Sequence, residues 1–257
     1  MSDSQTRVPV PGASLARLLA RLGGLEPVLP AQSPVEQLGD WLDWQQAVVL
    51  SRALDDDPAC TVADEGLPSL VLVSDECASV PDATAVEASI AECAEIRAVL
   101  ESAIGNDAND WTIPTRTRPG EDGTGVAAGV AAVQRYCQRL QRDMQAATGR
   151  LRGELREQLA RRGGGQARLA AVDAVMEGLL APREHALLVG VVPALVARFE
   201  RLHALHSGGP VPAPPEPEAW RAGFRAEARQ VLLAELDLRF HPIQALLSAL
   251  KSPRTDA

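Results

Sequence analysis

The stretch VQRYCQRLQRDMQAATGRLRGELREQL, residues 133–159, decides the fold. Its apolar residues recur every three or four positions, which is the period of one face of an α-helix. These residues are Val133, Cys137, Leu140, Met144, Ala147, Leu151, Leu155 and Leu159. A helix of roughly 30 residues is about 45 Å long. An apolar face of that length needs another helix to cover it.

The residues that follow supply this cover. Three consecutive glycines, residues 163–165, allow the chain to reverse. An apolar stripe then returns, formed by Leu169, Val172, Met176 and Leu179. Pro182 is predicted to restart the helix, and Pro193 to kink it, since the apolar register continues through Leu188, Val192, Leu195, Phe199 and Leu202. The simplest arrangement that buries both stripes is a long antiparallel helical hairpin in the C-terminal half.

Four further helices follow from capping signals and apolar periodicity. A short amphipathic helix is predicted over residues 14–22, ended by Gly23 and Gly24. Capping boxes that begin at Ser33 and Thr84 predict helices from Pro34 to about Leu54 and from Thr84 to Gly105. The last helix runs over residues 220–250 and bends at His241 and Pro242.

The sequence therefore predicts an all-α fold, a helical bundle with a long antiparallel hairpin. We divide it into an acidic N-terminal helical region (residues 1–111), a linker (112–132) and a third region (133–251) that holds the long-helix hairpin and the C-terminal helix. The linker is placed where prolines and glycines replace apolar anchors. A strand-like run, Leu70–Val73, is too short to define a sheet and is predicted to be buried loop.

Composition and the cysteines limit the class of protein. Hydrophobic residues make up 46% of the chain but aromatic residues only 3%, so Ala, Leu and Val must fill the core. This composition excludes a collagen, a disulfide scaffold and a porin. The four cysteines, Cys60, Cys77, Cys93 and Cys137, contain no CxxC pair and are predicted to be reduced thiols.

The compartment is predicted to be the cytoplasm. Asp3 precedes any apolar run, and Arg17 and Arg21 interrupt the first one, so a signal-peptide core is not expected. The longest strongly apolar stretch without a charge, Ala186–Ala197, is shorter than the roughly 20 residues that a membrane span needs. We therefore expect no membrane span.

Charge is distributed unevenly along the chain. Residues 1–111 hold 19 acidic residues and 5 arginines, a net charge of −14, whereas residues 133–168 hold nine arginines and three acidic residues, a net charge of +6. Opposite potentials of this kind steer association within or between chains. The Arg-rich helix also suits phosphate contacts, through Arg135, Arg139, Arg142, Arg150, Arg152, Arg156, Arg161 and Arg162. A pI of about 5.0 and few aromatic residues argue against nucleic-acid binding, which is kept as the alternative function.

Candidate chemical sites are few. Glu200, His203 and His206 are spaced three residues apart and could in principle hold a metal, but without a further ligand a solvated helix end is the better interpretation. The aspartates at 55–57, with Asp64 and Glu65, lack the spacing of a calcium loop. The glycine clusters lack the spacing of a phosphate loop. The sequence thus predicts no catalytic, cofactor-binding or metal-binding residue, no cofactor and no enzymatic activity.

Five segments resemble an uncharacterised family of proteobacterial helical proteins, a domain of unknown function of about this length. They are SLARLLARL (Ser14–Leu22), SPVEQLGDWLDWQQAVVLSRAL (Ser33–Leu54), LAAVDAVMEGLLAPREHALL (Leu169–Leu188), VPALVARFERL (Val192–Leu202) and LRFHPIQALLSAL (Leu238–Leu250). The resemblance implies a genomic setting beside a stator-like membrane protein and an OmpA-like peptidoglycan-binding protein. It carries no catalytic motif and supplies no site residues.

The function predicted from these observations is that of a non-enzymatic helical adaptor or scaffold. The resemblance adds a cytoplasmic accessory role in an envelope complex, with a stator-like or OmpA-like protein as the partner. A homo-oligomer is a second way to cover apolar stripes of this length. Nucleic-acid binding through residues 133–168 is the alternative.

Overall fold

The fold is all-α, a helical bundle, as predicted. The computed structural model describes residues 13–24, 39, 42–55, 83–106, 122–207 and 219–252. Within them lie seven helices: α1 (Ala13–Gly23), α2 (Trp44–Asp55), α3 (Ala83–Gly105), α4 (Asp122–Arg162), α5 (Gly164–Val189), α6 (Val191–Ser207) and α7 (Ala219–Lys251). The predicted strand-like run at 70–73 lies outside the described residues.

The helices contribute to two compact units. The first unit takes α1, α3 from Ala98, α4 up to Ala146, α5 from Ala186, all of α6, and α7 up to His241. The second takes α2 and the remaining parts of α3, α4, α5 and α7. Residues 122–132, which the sequence places in the linker, are helical and begin α4. The division into an acidic region, a linker and a hairpin region stays a prediction.

The first unit is built around the first half of the predicted apolar face of α4. Val133, Cys137, Leu140 and Met144 of α4 are all buried. The buried residues that accompany them come from every other helix of the unit and include Leu15, Leu22, Leu100, Ile104, Leu195, Phe199, Phe224, Leu232 and Phe240. α1 packs on α6, and Arg201 of α6 donates a hydrogen bond to the Leu22 carbonyl at the end of α1. The amphipathic α1 is therefore docked within its own unit.

The second unit contains the α4–α5 turn. Gly163 alone separates the two helices, and it has a φ of 72°, which favours glycine. α5 then runs antiparallel to α4, because Arg162 lies beside Gln166 whereas Arg152 reaches Glu177. Side chains at this turn cap α7: Arg162 donates to the Leu250 carbonyl, and Gln166 donates to the carbonyls of Ala249 and Ser252. The reversal predicted from the three glycines is confirmed.

Pro193 rather than Pro182 marks the break in the returning arm. Pro182 lies inside α5, so the prediction that it restarts the helix is wrong. The break is a single turn at Gly190, which separates α5 from α6. A proline lacks the N–H that would bond four residues back, and for Pro193 that carbonyl belongs to Val189. The helix therefore breaks next to Val189, while the apolar register continues into α6 through the buried Val192, Leu195 and Phe199.

The helix predicted from Pro34 to Leu54 is interrupted before α2, and its predicted start lies outside the described residues. Leu42 and Asp43 are not helical, so the prediction of one uninterrupted helix from Pro34 to Leu54 is wrong at these positions. Asp43 caps α2 instead: its carboxylate accepts from the Gln46 N–H at 2.7 Å, and its own N–H donates to the Gln46 side chain at 3.1 Å. None of the twelve residues of α2 is buried.

One helical stretch meets the length and composition of a membrane span. The stretch is Gly164–His206, 43 residues that include α5 and most of α6. One 18-residue window within it has a mean hydropathy of 1.5. Only 22% of that window is buried. The expectation that no segment spans a membrane stays a prediction, and the low burial shows that much of the window's surface is accessible.

Candidate interaction surfaces

Two arginines of α4 are ion-paired with α5 in the second unit. Arg152 donates to Asp173 at 2.7 and 2.8 Å, and Arg156 donates to the same carboxylate at 2.7 Å. Glu177 accepts from both arginines. The two arginine side chains are only 12% and 21% exposed. Four charges thus form one partly buried cluster, which we call the α4–α5 charge cluster.

Other arginines of α4 also contact the chain itself. Arg150 pairs with Glu92 of α3 at 3.1 Å and with Glu154 at 2.9 Å. The remaining arginines of the predicted phosphate-binding set show smaller contacts: the Tyr136 ring for Arg139, the Gln138 carbonyl for Arg142, Glu157 for Arg161 and the Leu250 carbonyl for Arg162. Arg135 is exposed. Much of the positive charge counted in the sequence is therefore already compensated by carboxylates.

The charge cluster determines which face of α5 meets α4. Because Asp173 and Glu177 point at α4, the neighbouring apolar stripe of Leu169, Val172, Met176 and Leu179 lies to one side of this contact. Leu169 is 40% exposed, and the other three are only half-buried. Ala170 is the one buried side chain of α5 among its residues in the second unit. We call these four residues the α5 stripe; the prediction that they are buried in the hairpin is wrong.

A groove of about 520 Å³ lies in the first unit between α4 and the α5–α6 break. Three amides of α4 form one wall, and apolar residues around the break form the other. The lining consists of Gln134, Gln138, Gln141, Val189, Val192, Pro193, Val196, Ala197 and Glu200. Val189, next to the break, is 55% exposed. We call this feature the glutamine groove.

A buried polar network holds one wall of this groove. The Gln141 amide donates to the Leu188 carbonyl at 3.2 Å and to the Glu235 carboxylate at 3.0 Å. Glu235 is fully buried, and its other oxygen accepts two hydrogen bonds from Arg239, at 2.8 and 3.1 Å. The Leu188 carbonyl lies at the end of α5, where helical partners run out, so Gln141 satisfies a group that the helix break leaves open.

Cys137 lies near this network. Burial raises the pKa of the Cys137 thiol to about 12, and the negative charge of Glu235 adds to the shift. Cys93 is also a free, buried thiol whose pKa is raised, mainly by burial. These two cysteines are therefore packing residues, in agreement with the predicted reduced thiols; Cys60 and Cys77 lie outside the described residues.

Alkylation at pH 8 tests this description of Cys137. We expect iodoacetamide to modify Cys137 at least about a hundredfold more slowly in the native protein than in urea, because the thiolate is the reactive form and burial disfavours it. Mass spectrometry of the tryptic peptide that contains Cys137 measures both rates. Similar rates in the two conditions would show that this thiol is accessible.

The histidines of α6 that were weighed as metal ligands contact an aromatic ring of α7. His206 stacks on Trp220 with ring centroids 5.6 Å apart, and His203 meets the same ring edge-on at 6.0 Å. Phe199 and Arg221 also contact Trp220. Within the described residues, no group of three His, Cys, Asp or Glu side chains could hold a metal ion. The histidines of the set Glu200, His203 and His206 pack on Trp220 of α7.

The acidic candidates give no cation site that can be described. Asp55 ends α2 and accepts a hydrogen bond from Ser51 at 3.0 Å. Asp56, Asp57, Asp64 and Glu65 lie outside the described residues.

Gln141 and Glu235 are the residues that sequence reasoning missed. Glu235 lies in the segment AELDLRF, where a polar residue between apolar neighbours resembles an exposed helix position. The available signal was the Glu–Arg spacing of four residues, Glu235 to Arg239, which is typical of an intrahelical ion pair.

Comparison with known proteins gives one match. A family model described as "Protein of unknown function (DUF3348)" matches residues 1–252. No curated protein and no solved structure matches the chain. The family match covers the five helical segments on which the resemblance rested and also the loops between them.

Proposed function

We propose that this chain, which belongs to the DUF3348 family of proteins of unknown function, acts as a non-enzymatic helical adaptor or scaffold. The proposal rests on the surface that α5 presents. The single observation that supports this proposal is the α5 stripe. α5 is joined and ion-paired to α4, yet its apolar residues remain accessible. A contiguous apolar surface left open by the packing of its own helix is typical of an interaction site.

The spacing of the α5 stripe favours a helical partner. Leu169, Val172, Met176 and Leu179 follow one another at steps of three, four and three residues, which are the a and d positions of a heptad. Residues at these positions insert between the side chains of a second helix at a shallow crossing angle. The stripe extends about 15 Å along the helix, which is about three turns of a partner helix.

We further propose that the partner helix belongs to a stator-like or OmpA-like envelope protein and that the complex assembles on the cytoplasmic side. The genomic setting implied by the family resemblance supports this partner class. An 18-residue window within Gly164–His206 is only 22% buried, which supports accessible apolar surface on this part of the chain.

Nucleic-acid binding through residues 133–168 receives less support. Arg150, Arg152 and Arg156 already pair with carboxylates of the chain, and each pair would have to open before its arginine could neutralise a phosphate.

Affinity purification from the native cell tests the proposed function. The variant carries Val172→Glu and Met176→Glu, two half-buried positions from which a carboxylate can reach water. The matched control carries Val99→Glu and Leu205→Glu, two exposed apolar positions outside the stripe. We expect the stator-like or OmpA-like protein to co-purify with the wild type and the control at least about tenfold more than with the stripe variant, because an interface core does not tolerate two carboxylates.

Two results would contradict the proposal. One is equal recovery of the envelope proteins with the stripe variant and the control, provided that circular dichroism shows both to be folded. The other is a strict monomer by light scattering that brings no protein with it. Retention of the chain in membranes after an alkaline carbonate wash would contradict the cytoplasmic assignment.

A further inference from the structure

We propose that the glutamine groove of the first unit is a second binding site, which takes an extended apolar peptide segment carrying a basic residue at one end. This proposal does not rest on the α5 stripe. It rests on the composition of the two walls, on the length of the groove and on its single charge.

The amide wall favours an extended backbone over a helix. Gln134 and Gln138 are exposed, and each side-chain amide both donates and accepts hydrogen bonds. An extended segment offers unpaired N–H and C=O groups that match such amides. The backbone groups of a helix are already paired with one another, and a helix is about 10 Å wide. Glutamines spaced along one wall therefore match a strand-like ligand.

The apolar wall supplies side-chain contacts. Val189, Val192 and Val196 lie on it, together with Pro193, whose missing N–H produces the break beside Val189. The wall from Val189 to Glu200 covers twelve residues, about 16 Å at helical rise. About five residues of an extended peptide span the same length. A volume of about 520 Å³ is within the range of ligand-binding sites.

The charge of Glu200 determines which kind of residue the peptide carries at one end. Of the nine residues that line the groove in the described part of the chain, Glu200 alone is charged, and it lies on α6 eleven residues beyond Val189. A lysine or arginine of the ligand placed there would be attracted, whereas an acidic residue would be repelled. The groove thus selects for an apolar segment with a cation at one end.

The polar network behind the groove keeps its wall in place before a ligand arrives. Gln141 is fixed by two hydrogen bonds, one to the Leu188 carbonyl and one to the buried Glu235. Fixed walls reduce the ordering that binding would otherwise require.

Selection from a phage-displayed library of random heptapeptides, with the full-length protein immobilised, tests the proposal. We expect enriched peptides to combine apolar residues with a lysine or arginine. Fluorescein-labelled copies of the enriched peptides are then titrated against three variants: Val189→Glu and Glu200→Arg in the groove, and Leu205→Glu as the matched control on α6. All three positions are exposed, so each variant is expected to fold.

The expected dissociation constants rise about tenfold for Val189→Glu and about fivefold for Glu200→Arg, and stay unchanged for Leu205→Glu. Copies of the peptides in which glutamate replaces the basic residue should prefer Glu200→Arg over the wild type. The stripe variant Val172→Glu/Met176→Glu should bind the peptides normally, which separates this proposal from the proposed function. Failure to enrich any peptide, or binding that Val189→Glu leaves unchanged, would overturn the proposal.

Discussion

Replacing Glu235 with alanine is expected to lower the free energy of unfolding by about 3 to 5 kcal/mol. Glu235 is fully buried and accepts hydrogen bonds from Arg239 and Gln141. Without it, the Arg239 guanidinium, whose side chain is 10% exposed, would keep its charge in the core with its carboxylate partner removed. Urea denaturation followed by circular dichroism measures the loss.

An ion pair between α7 and α6 provides the control. Glu227 pairs with Arg198 at 2.7 Å, but the two side chains are 38% and 30% exposed. Glu227→Ala is expected to cost less than about 1 kcal/mol, since pairs near the surface contribute little. A double variant, Glu235→Leu with Arg239→Leu, should recover most of the lost stability, because both charges are then removed together. A cost below about 1 kcal/mol for Glu235→Ala would show that water reaches this site.

Replacing Asp173 with alanine is expected to lower the free energy of unfolding by about 2 to 3 kcal/mol. This carboxylate is shared by Arg152 and Arg156, so its loss leaves two partly buried guanidinium groups with Glu177 as their common partner. Glu92→Ala is the control, because Glu92 and its partner Arg150 are about half exposed. Its cost should stay below about 1 kcal/mol. Equal costs for the two variants would show that the α4–α5 charge cluster adds little stability.

The contribution of Asp173 should also depend on pH. Burial raises the pKa of Asp173, but the hydrogen bonds and charges of Arg152 and Arg156 outweigh burial, so the pKa lies below its ordinary value of 3.8. A carboxyl group whose pKa is lower in the folded state stabilises the fold above its unfolded pKa, and this stabilisation is lost as the pH falls through the folded pKa. The difference in unfolding free energy between the wild type and Asp173→Ala should therefore be full at pH 7 and shrink below pH 4. A difference that stays constant down to pH 2.5 would contradict this assignment.

The apolar face of α4 could be predicted from the sequence because one physical effect, the burial of apolar residues, determines it. Seven of its eight predicted residues are buried, and Ala147, the smallest, is half-buried. When apolar residues recur at helical spacing over so many turns, they leave water only if this face of the helix packs against other helices. The turn at Gly163 was equally clear, since it requires a positive φ that glycine adopts easily.

The orientation of α5 could not be read from apolar periodicity. The pattern identifies which residues of α5 share an apolar face but not which face meets α4, because the charge cluster competes for the same contact. Arg152 with Arg156 and Asp173 with Glu177 are both spaced four residues apart, so two ion-paired rows could have been proposed. Net charge counted by segment hides such pairs, which is also why the Arg-rich helix suggested phosphate binding.

Where the predicted course of a helix is wrong, local hydrogen bonding is the reason. The apolar pattern predicts that the helix continues through Leu42 and Asp43, yet Asp43 and Gln46 form a cap that begins α2 there. Pro182 and Pro193 both lie among apolar residues at helical spacing, but only Pro193 has a glycine three residues before it. A Cβ at this Gly190 would lie 3.3 Å from the Leu187 carbonyl oxygen. The glutamine groove depends on this break and so could not be predicted either.

The one tyrosine of the chain gives the first unit a reporter of its own. Tyr136 is 2% exposed, and its hydroxyl donates to the Ile104 carbonyl at 3.0 Å. The absorbance of this tyrosine therefore senses the packing of α3 against α4 in that unit, while the four tryptophans of the chain absorb in the same range. The tyrosine band of the second-derivative spectrum, once separated from the tryptophan bands, can follow the melting of this one unit without any label, while the far-ultraviolet signal averages over every helix.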